Sequence, residues 1–139
     1  MAALAANNGY ISINGTVLNT YMVSVEPARS AAVIDTTSGF GSTHTKAAPG
    51  LKSTKFKLTV AYYTEGVLTY LPLLDAGATR TVIFGPDGND AGKLRHQQDF
   101  VFSSCNGPKI VVGKDMAIFE CDLEGAGTPT YDMYEGDTF

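Results

Sequence analysis

The chain has 139 residues, enough for one domain with a real core, and is 44% apolar but only 17% charged, which fits a folded soluble protein. A net charge of −4 argues against a protein that wraps nucleic acid by neutralising phosphates. Two cysteines are too few for a disulfide framework, and no apolar run approaches the ~20 residues of a spanning helix.

Valine, threonine, tyrosine and phenylalanine are plentiful, and 15 glycines supply turns, so β structure is favoured. Residues 1–10, MAALAANNGY, read as a flexible lead-in that lacks the basic region of a secretory signal. This reading places synthesis in a reducing cytoplasm with free thiols. In YISING, Ile11 and Ile13 share a face, and Asn14-Gly15 is a hairpin turn because both residues tolerate positive φ. TVLNTYMVSVEP gives a second strand closed by Pro27, and SAAVIDTT a third, from about Ala31 to Thr37.

Between them and the next strand lies a loop from Ser38 to Ser53, made of Gly, Ser, Thr, Pro and Ala. Loops this long inside a compact domain are either functional or disordered. TKFKLTVAYY then alternates cleanly, with Phe56, Leu58, Val60 and Tyr62 on one face and Lys55, Lys57 and Thr59 on the other. EGVLTYLPLLDAGAT has helical spacing interrupted by Pro72, which predicts one short helix, beginning near Tyr70 or bent there. TRTVIFGPDGND is a strand ending in a turn, QQDFVFSS another, and KIVVGKDMAIFECDLEG a hairpin folded near Gly113-Lys114. Residues 130–139 form an acidic, aromatic tail, read either as an arm that docks on a neighbour or as a frayed terminus. The sum is one β domain over 11–129, with seven or eight strands and one helix, built as a sandwich or partly closed barrel.

Chemistry is sparse. His44 lies in the loop and His96 at a strand entrance, neither in a metal-ligand spacing. Cys105 and Cys121 fall near each other diagonally if the hairpin turns at Gly113-Lys114, but further zinc ligands are not offered, so they read as buried reduced thiols. GFGSTH lacks the third glycine and the strand–loop–helix order of a phosphate loop. No nucleophile motif is present, and the reading is a protein without enzymatic activity, cofactor or metal. Charge is unevenly placed: seven acids and no base lie between Asp115 and Phe139, and four lysines without an acid between Lys46 and Lys57.

The order of SING, V-x-V-E-P, VIDTTSGFGSTHTKAAPGLK, a strong alternating strand, one helix, VIFGPDG and LEGAGTP resembles the tail tube (major tail) proteins of long-tailed bacteriophages. The resemblance spans about Ile11 to Pro129. It implies two packed antiparallel sheets with a flanking helix. It also implies hexameric rings that stack, strands from every subunit forming a continuous inner barrel, and a channel for genome ejection. Implied partners are copies of the chain, tape-measure and other tail proteins, and DNA passing without specific binding; membrane insertion is not implied. Tubes of contractile tails share this plan, so a sheath is left open. A capsid decoration or head–tail connector protein and a ligand-binding β-sandwich remain as alternatives.

Under this resemblance the loop is an assembly element, mobile in the monomer and ordered between subunits. Gly39, Phe40, Gly41, Lys46, Pro49, Gly50, Leu51 and Lys52 are its expected contact residues. The lysines are expected to meet acids of an adjacent copy. Parity places Glu120, Asp122 and Glu124 on one face, and with Asp115 they are the acids expected at the channel or its rim.

Overall fold

The structure is a computed structural model, and it describes residues 9–35, 47–110, 113 and 117–139. The first hairpin joins β1 (Tyr10–Ile13) to β2 (Thr16–Val17). Asn14 and Gly15 hold φ of 50° and 84°, the pair of positive values that a two-residue turn matched to strand twist requires. β3 (Met22–Asp35) and β4 (Ala47–Ala61) follow, then α1 (Val67–Leu74), β5 (Thr79–Gly85), β6 (His96–Lys109) and β7 (Ile118–Gly125). A short 3-10 turn, Met133–Glu135, lies in the C-terminal segment.

The seven strands form one sheet in the order β2-β1-β5-β6-β7-β4-β3, and every pairing is antiparallel. Two strands, β7 and β6, separate β4 from β5, so a flat sheet would hold them roughly 14 Å apart. The Phe56 and Phe84 rings, one on each, nevertheless meet edge to face at 5.5 Å. The sheet is therefore curled into a partly closed barrel. The resemblance implied two packed sheets; the structure instead has one sheet, folded over on itself.

Alternation fills the interior. Ile11, Ile13, Phe56, Leu58, Val60, Val82, Phe84, Phe100, Phe102, Phe119 and Leu123 are all buried, each on the inward parity of its strand. α1 closes one end of the barrel with Val67, Tyr70 and Leu74. The Tyr70 hydroxyl donates to the Ala61 carbonyl at 2.7 Å, tying the helix to the end of β4. The helix begins at Val67, three residues before the expected start, and contains Pro72. Arg80 serves its C-terminal end, donating to the carbonyls of Pro72 (2.9 Å) and Asp75 (2.7 Å).

Two departures from the sequence reading shape the surface described below. β3 runs straight through Pro27, which was expected to end a strand. β3 is an edge strand, paired only with β4, and an edge is where a residue without an N–H is tolerated. In addition, residues 47–53, expected as loop, belong to β4 and pair with β3 as far as Asp35↔Ala47. Small residues such as Ala47, Ala48 and Gly50 carry weak strand propensity of their own, and pairing with β3 overrides it.

Candidate assembly surface

β4 pairs with β7 only from Lys55 to Ala61, whereas its pairing with β3 continues to Ala47. Ser30–Asp35 and 47–53 are consequently a two-stranded ribbon that leaves the barrel and, at the rise of an extended strand, projects roughly 20 Å. All of Ser30–Asp35 is exposed. Val33, Ile34 and Leu51 are 75%, 53% and 88% exposed, an apolar surface that nothing in the described residues covers. Two strands alone are marginal in water, so a ribbon of this kind gains most from a second surface laid against it.

Of the loop residues proposed for contact, Pro49, Gly50, Leu51 and Lys52 lie on the β4 side of the ribbon. Gly39, Phe40, Gly41 and Lys46, with His44, lie outside the described residues. Gly50 has a local reason to be glycine. The register of β3 slips between Ala31 and Val33, and a Cβ at 50 would stand 2.9 Å from the Cβ of Ala32.

The outer face of β6, β7, β4 and β3 carries a charged ladder. Across the strands, Val101, Glu124, Lys55 and Ala28 form one rung, and Ser104, Asp122, Lys57 and Glu26 the next. Asn106, Glu120, Thr59 and Ser24 form the third. Glu120, Asp122 and Glu124 are all exposed on that face, as parity predicts, while Asp115 lies outside the described residues. Lys55 Nζ lies 3.7 Å from Glu124 Oε1, and Lys57 faces both Asp122 and Glu26 in register. These two lysines thus meet acids of their own chain, where the sequence reading assigned them to a neighbouring copy. Four acids (Glu26, Glu120, Asp122, Glu124) against two lysines leave the ladder net negative.

The C-terminal segment is neither frayed nor extended. It folds back over the barrel mouth, with isolated bridges Gln97↔Tyr131 and Leu94↔Thr138. Arg95 stacks over Tyr131 at 3.8 Å, and Phe139 packs edge to face on Tyr10 at 6.0 Å. Asp132 is the hub: it accepts from Arg29 at 2.8 Å and from the Tyr134 N–H at 3.1 Å. Burial works against its charge, but the Arg29 hydrogen bond, the Tyr134 N–H and the charge of Arg29 hold its carboxyl below the ordinary value.

His96, fully buried at the start of β6, accepts from the Met133 N–H through Nδ1 (3.4 Å) and donates to Gln98 Oε1 through Nε2 (2.9 Å). Burial, as the largest influence, lowers its pKa. No local pattern announces this cluster, whose members lie on β3, on β6 and after β7. Between β1 and β3 a groove of about 770 Å³ marks where the barrel stays open, walled by Tyr10, Ile11, Val25 and Phe84 and bordered by Met133 and Tyr134. Among the described residues no three His, Cys, Asp or Glu side chains converge as a metal site requires.

The architecture that carries this surface is a curled antiparallel sheet with one end helix and a projecting two-stranded ribbon. No protein-family model matches the sequence, and no curated protein sequence matches it either. Solved structures do match. The chain is similar over 94% of its length to 99% of a chain in the virion of a native gene transfer agent particle, with a TM-score of 0.71 and 14% identity. It is similar over the same share to 99% of a chain in the tail of an empty gene transfer agent particle refined with C6 symmetry (TM-score 0.66, 14% identity). A third match, 93% covered, is a chain of the sheath–tube complex of an extracellular contractile injection system (TM-score 0.64, 14% identity). At these identities the likeness is one of fold, and it is the fold that the phage tail tube resemblance implied.

Proposed function

We propose that the chain is a structural, non-catalytic subunit of a tail tube, in which six copies close into a ring, rings stack, and the bore conducts DNA. The observation that carries this is the ribbon Ser30–Asp35 with 47–53: a folded extension whose apolar residues its own barrel leaves in water. Full burial of Val33, Ile34 and Leu51 against other copies contributes about 1.5–3 kcal/mol each. The free edge of β3 offers a further route, since an unpaired strand edge accepts another strand, and a closed ring removes such edges. Six-fold closure follows the C6 symmetry of the gene transfer agent tail.

In this reading Pro49, Gly50, Leu51 and Lys52 contact neighbouring subunits, as do Gly39, Phe40, Gly41 and Lys46. Glu120, Asp122 and Glu124 face the channel. A net-negative ladder suits a conduit, because phosphates slide past a mildly repulsive wall and stall on an attractive one. Tape-measure protein inside the bore, location in a virion tail and synthesis in a bacterial cytoplasm belong to the same reading.

The test is to replace Val33 and Leu51 by Asp together and image the purified protein by negative stain. Wild-type protein is expected to give tubes or stacked rings, and the variant a β-rich particle of single-subunit mass with unchanged melting. Tubes from the variant would remove the ribbon from assembly; small closed oligomers or monomers from the wild type would remove the tube reading itself.

A further inference from the structure

β6 contains one irregularity close to the barrel, a register shift between Phe102 and Ser104. Phe102 faces Leu123, and an unbroken register from there would put Ser104 opposite Cys121. The extra residue, Ser103, moves the pairing by one. Ser104 then faces Asp122, and Cys105 turns inward to face Cys121. The bulge is thus what sets the two cysteines directly opposite each other rather than on a diagonal.

Both cysteines are free, with Cys121 Sγ 2.9 Å from Cys105 Sγ. Directly opposed residues of an antiparallel pair hold their Cα atoms about 4.5–5.5 Å apart, within the ~4.4–6.8 Å that a disulfide spans. Access is unequal: Cys121 is fully buried, while Cys105 is partly exposed. Among the described residues no third metal ligand converges on the pair.

We propose that Cys105 and Cys121 are a modification site, closing a cross-strand disulfide by exchange with a small-molecule disulfide such as oxidised glutathione. The reaction starts at the accessible sulfur. Cys105, as thiolate, attacks one sulfur of glutathione disulfide, breaking its S–S bond and releasing one glutathione thiolate, which takes up a proton. Cys121 then loses its proton to solvent and attacks Cys105 Sγ, expelling the second glutathione. The protein gives up two protons and two electrons, and one glutathione disulfide becomes two glutathione thiols. The order matches the thiols' acidities: the hydrogen bond from Cys121 lowers the pKa of Cys105, and the same bond, with burial, raises that of Cys121. This chemistry belongs to the folded subunit and does not depend on the tube reading.

The experiment incubates the folded chain with oxidised glutathione and reads intact mass and thiol titration after denaturation. The expected product has lost two hydrogen atoms, retains no glutathione and titrates with no free thiol. Its melting temperature rises by on the order of 5 °C, and dithiothreitol reverses the change. Cys121→Ala is expected to stop at one glutathione held on Cys105, and Cys105→Ala to remain unmodified while folded. Wild-type protein that keeps both thiols, retains glutathione or links only between chains would overturn the proposal, whether or not either variant folds.

Discussion

Arg29 on β3 and Asp132 in the C-terminal segment stand 103 residues apart in sequence and 2.8 Å apart in space, with side chains only 15% and 10% exposed. Arg29 also donates through Nε to Thr54 Oγ1 at 2.9 Å and stacks on the Tyr134 ring at 4.6 Å. One guanidinium thereby ties together the edge strand, its neighbour and the segment that covers the barrel mouth.

Removing either partner of a buried ion pair strands the other. Asp132→Asn should cost about 2–3 kcal/mol and loosen residues 130–139, seen as faster amide exchange there with slow exchange kept in β4 and β6. The native pKa of Asp132 is depressed, so its contribution is complete above the ordinary carboxylate value of 3.8 and is lost as pH falls through the lower native value. The variant should lack that part of the acid dependence. Equal acid-unfolding profiles for the two proteins would contradict this.

His96 behaves in the opposite sense. Its folded pKa lies below the ordinary histidine value of 6.5, so below about that pH the unfolded chain binds more protons than the folded one. Stability should fall as pH drops from about 6.5 toward the lower native value, and should be flat above it. The groups facing the ring are Asp132, which favours the charged form, and Arg29, which opposes it, with Gln98 on the other nitrogen. His96→Gln should flatten the melting temperature between about pH 7 and 5.5. A variant with the wild-type slope would show that another group carries it.

Arg80 is almost wholly buried, caps α1 with two hydrogen bonds and lies 4.7 Å from the Phe102 ring centroid. Arg80→Met keeps much of the stem's packing but leaves the Pro72 and Asp75 carbonyls without this donor. The expected loss is about 2–3 kcal/mol by denaturant titration. A loss below about 0.5 kcal/mol would mean that water satisfies those carbonyls as well.

The acid ladder sets how its own role is tested. Reversing Glu120, Asp122 and Glu124 to Lys would place lysines beside Lys55 and Lys57, and like charges directly opposite destabilise a sheet by about 0.2–1 kcal/mol per pair. Neutral Gln, Asn and Gln at these positions avoid that repulsion. They should shift stability by no more than about 0.5 kcal/mol each while slowing DNA release from assembled particles. Particles of normal morphology and normal delivery would detach these acids from conduction.

Local alternation was enough to place Ile11 and Ile13 of β1 and Phe56, Leu58 and Val60 of β4, because burial on one sheet face writes itself as a period of two; Tyr62, counted with the latter, stands exposed just past the end of β4. It also put Glu120, Asp122 and Glu124 together. Pro27 misled because its backbone argument depends on whether the strand has one neighbour or two, which is settled by partners far along the chain. The ribbon was hidden for the same reason: Ala47–Ser53 becomes strand through β3. Counted from a turn at Gly113-Lys114, parity carried Cys105 and Cys121 only to a diagonal, since the register slips between Asn106 and Lys109 and changes the count. The Arg29–Asp132–His96 cluster had no local pattern at all, being assembled from three distant stretches.

β3 crosses from barrel to ribbon without interruption, and that has a mechanical consequence. A hydrogen-bonded ribbon resists bending within its own plane, so a load applied at its far end is carried as by a cantilever to the root. There Arg29 and Thr54 clamp it. Along the described ribbon the register slips once, at Ala31/Val33, with Gly50 opposite easing the approach, and compliance is greatest there. A filament held together through such ribbons would flex at that point on every copy.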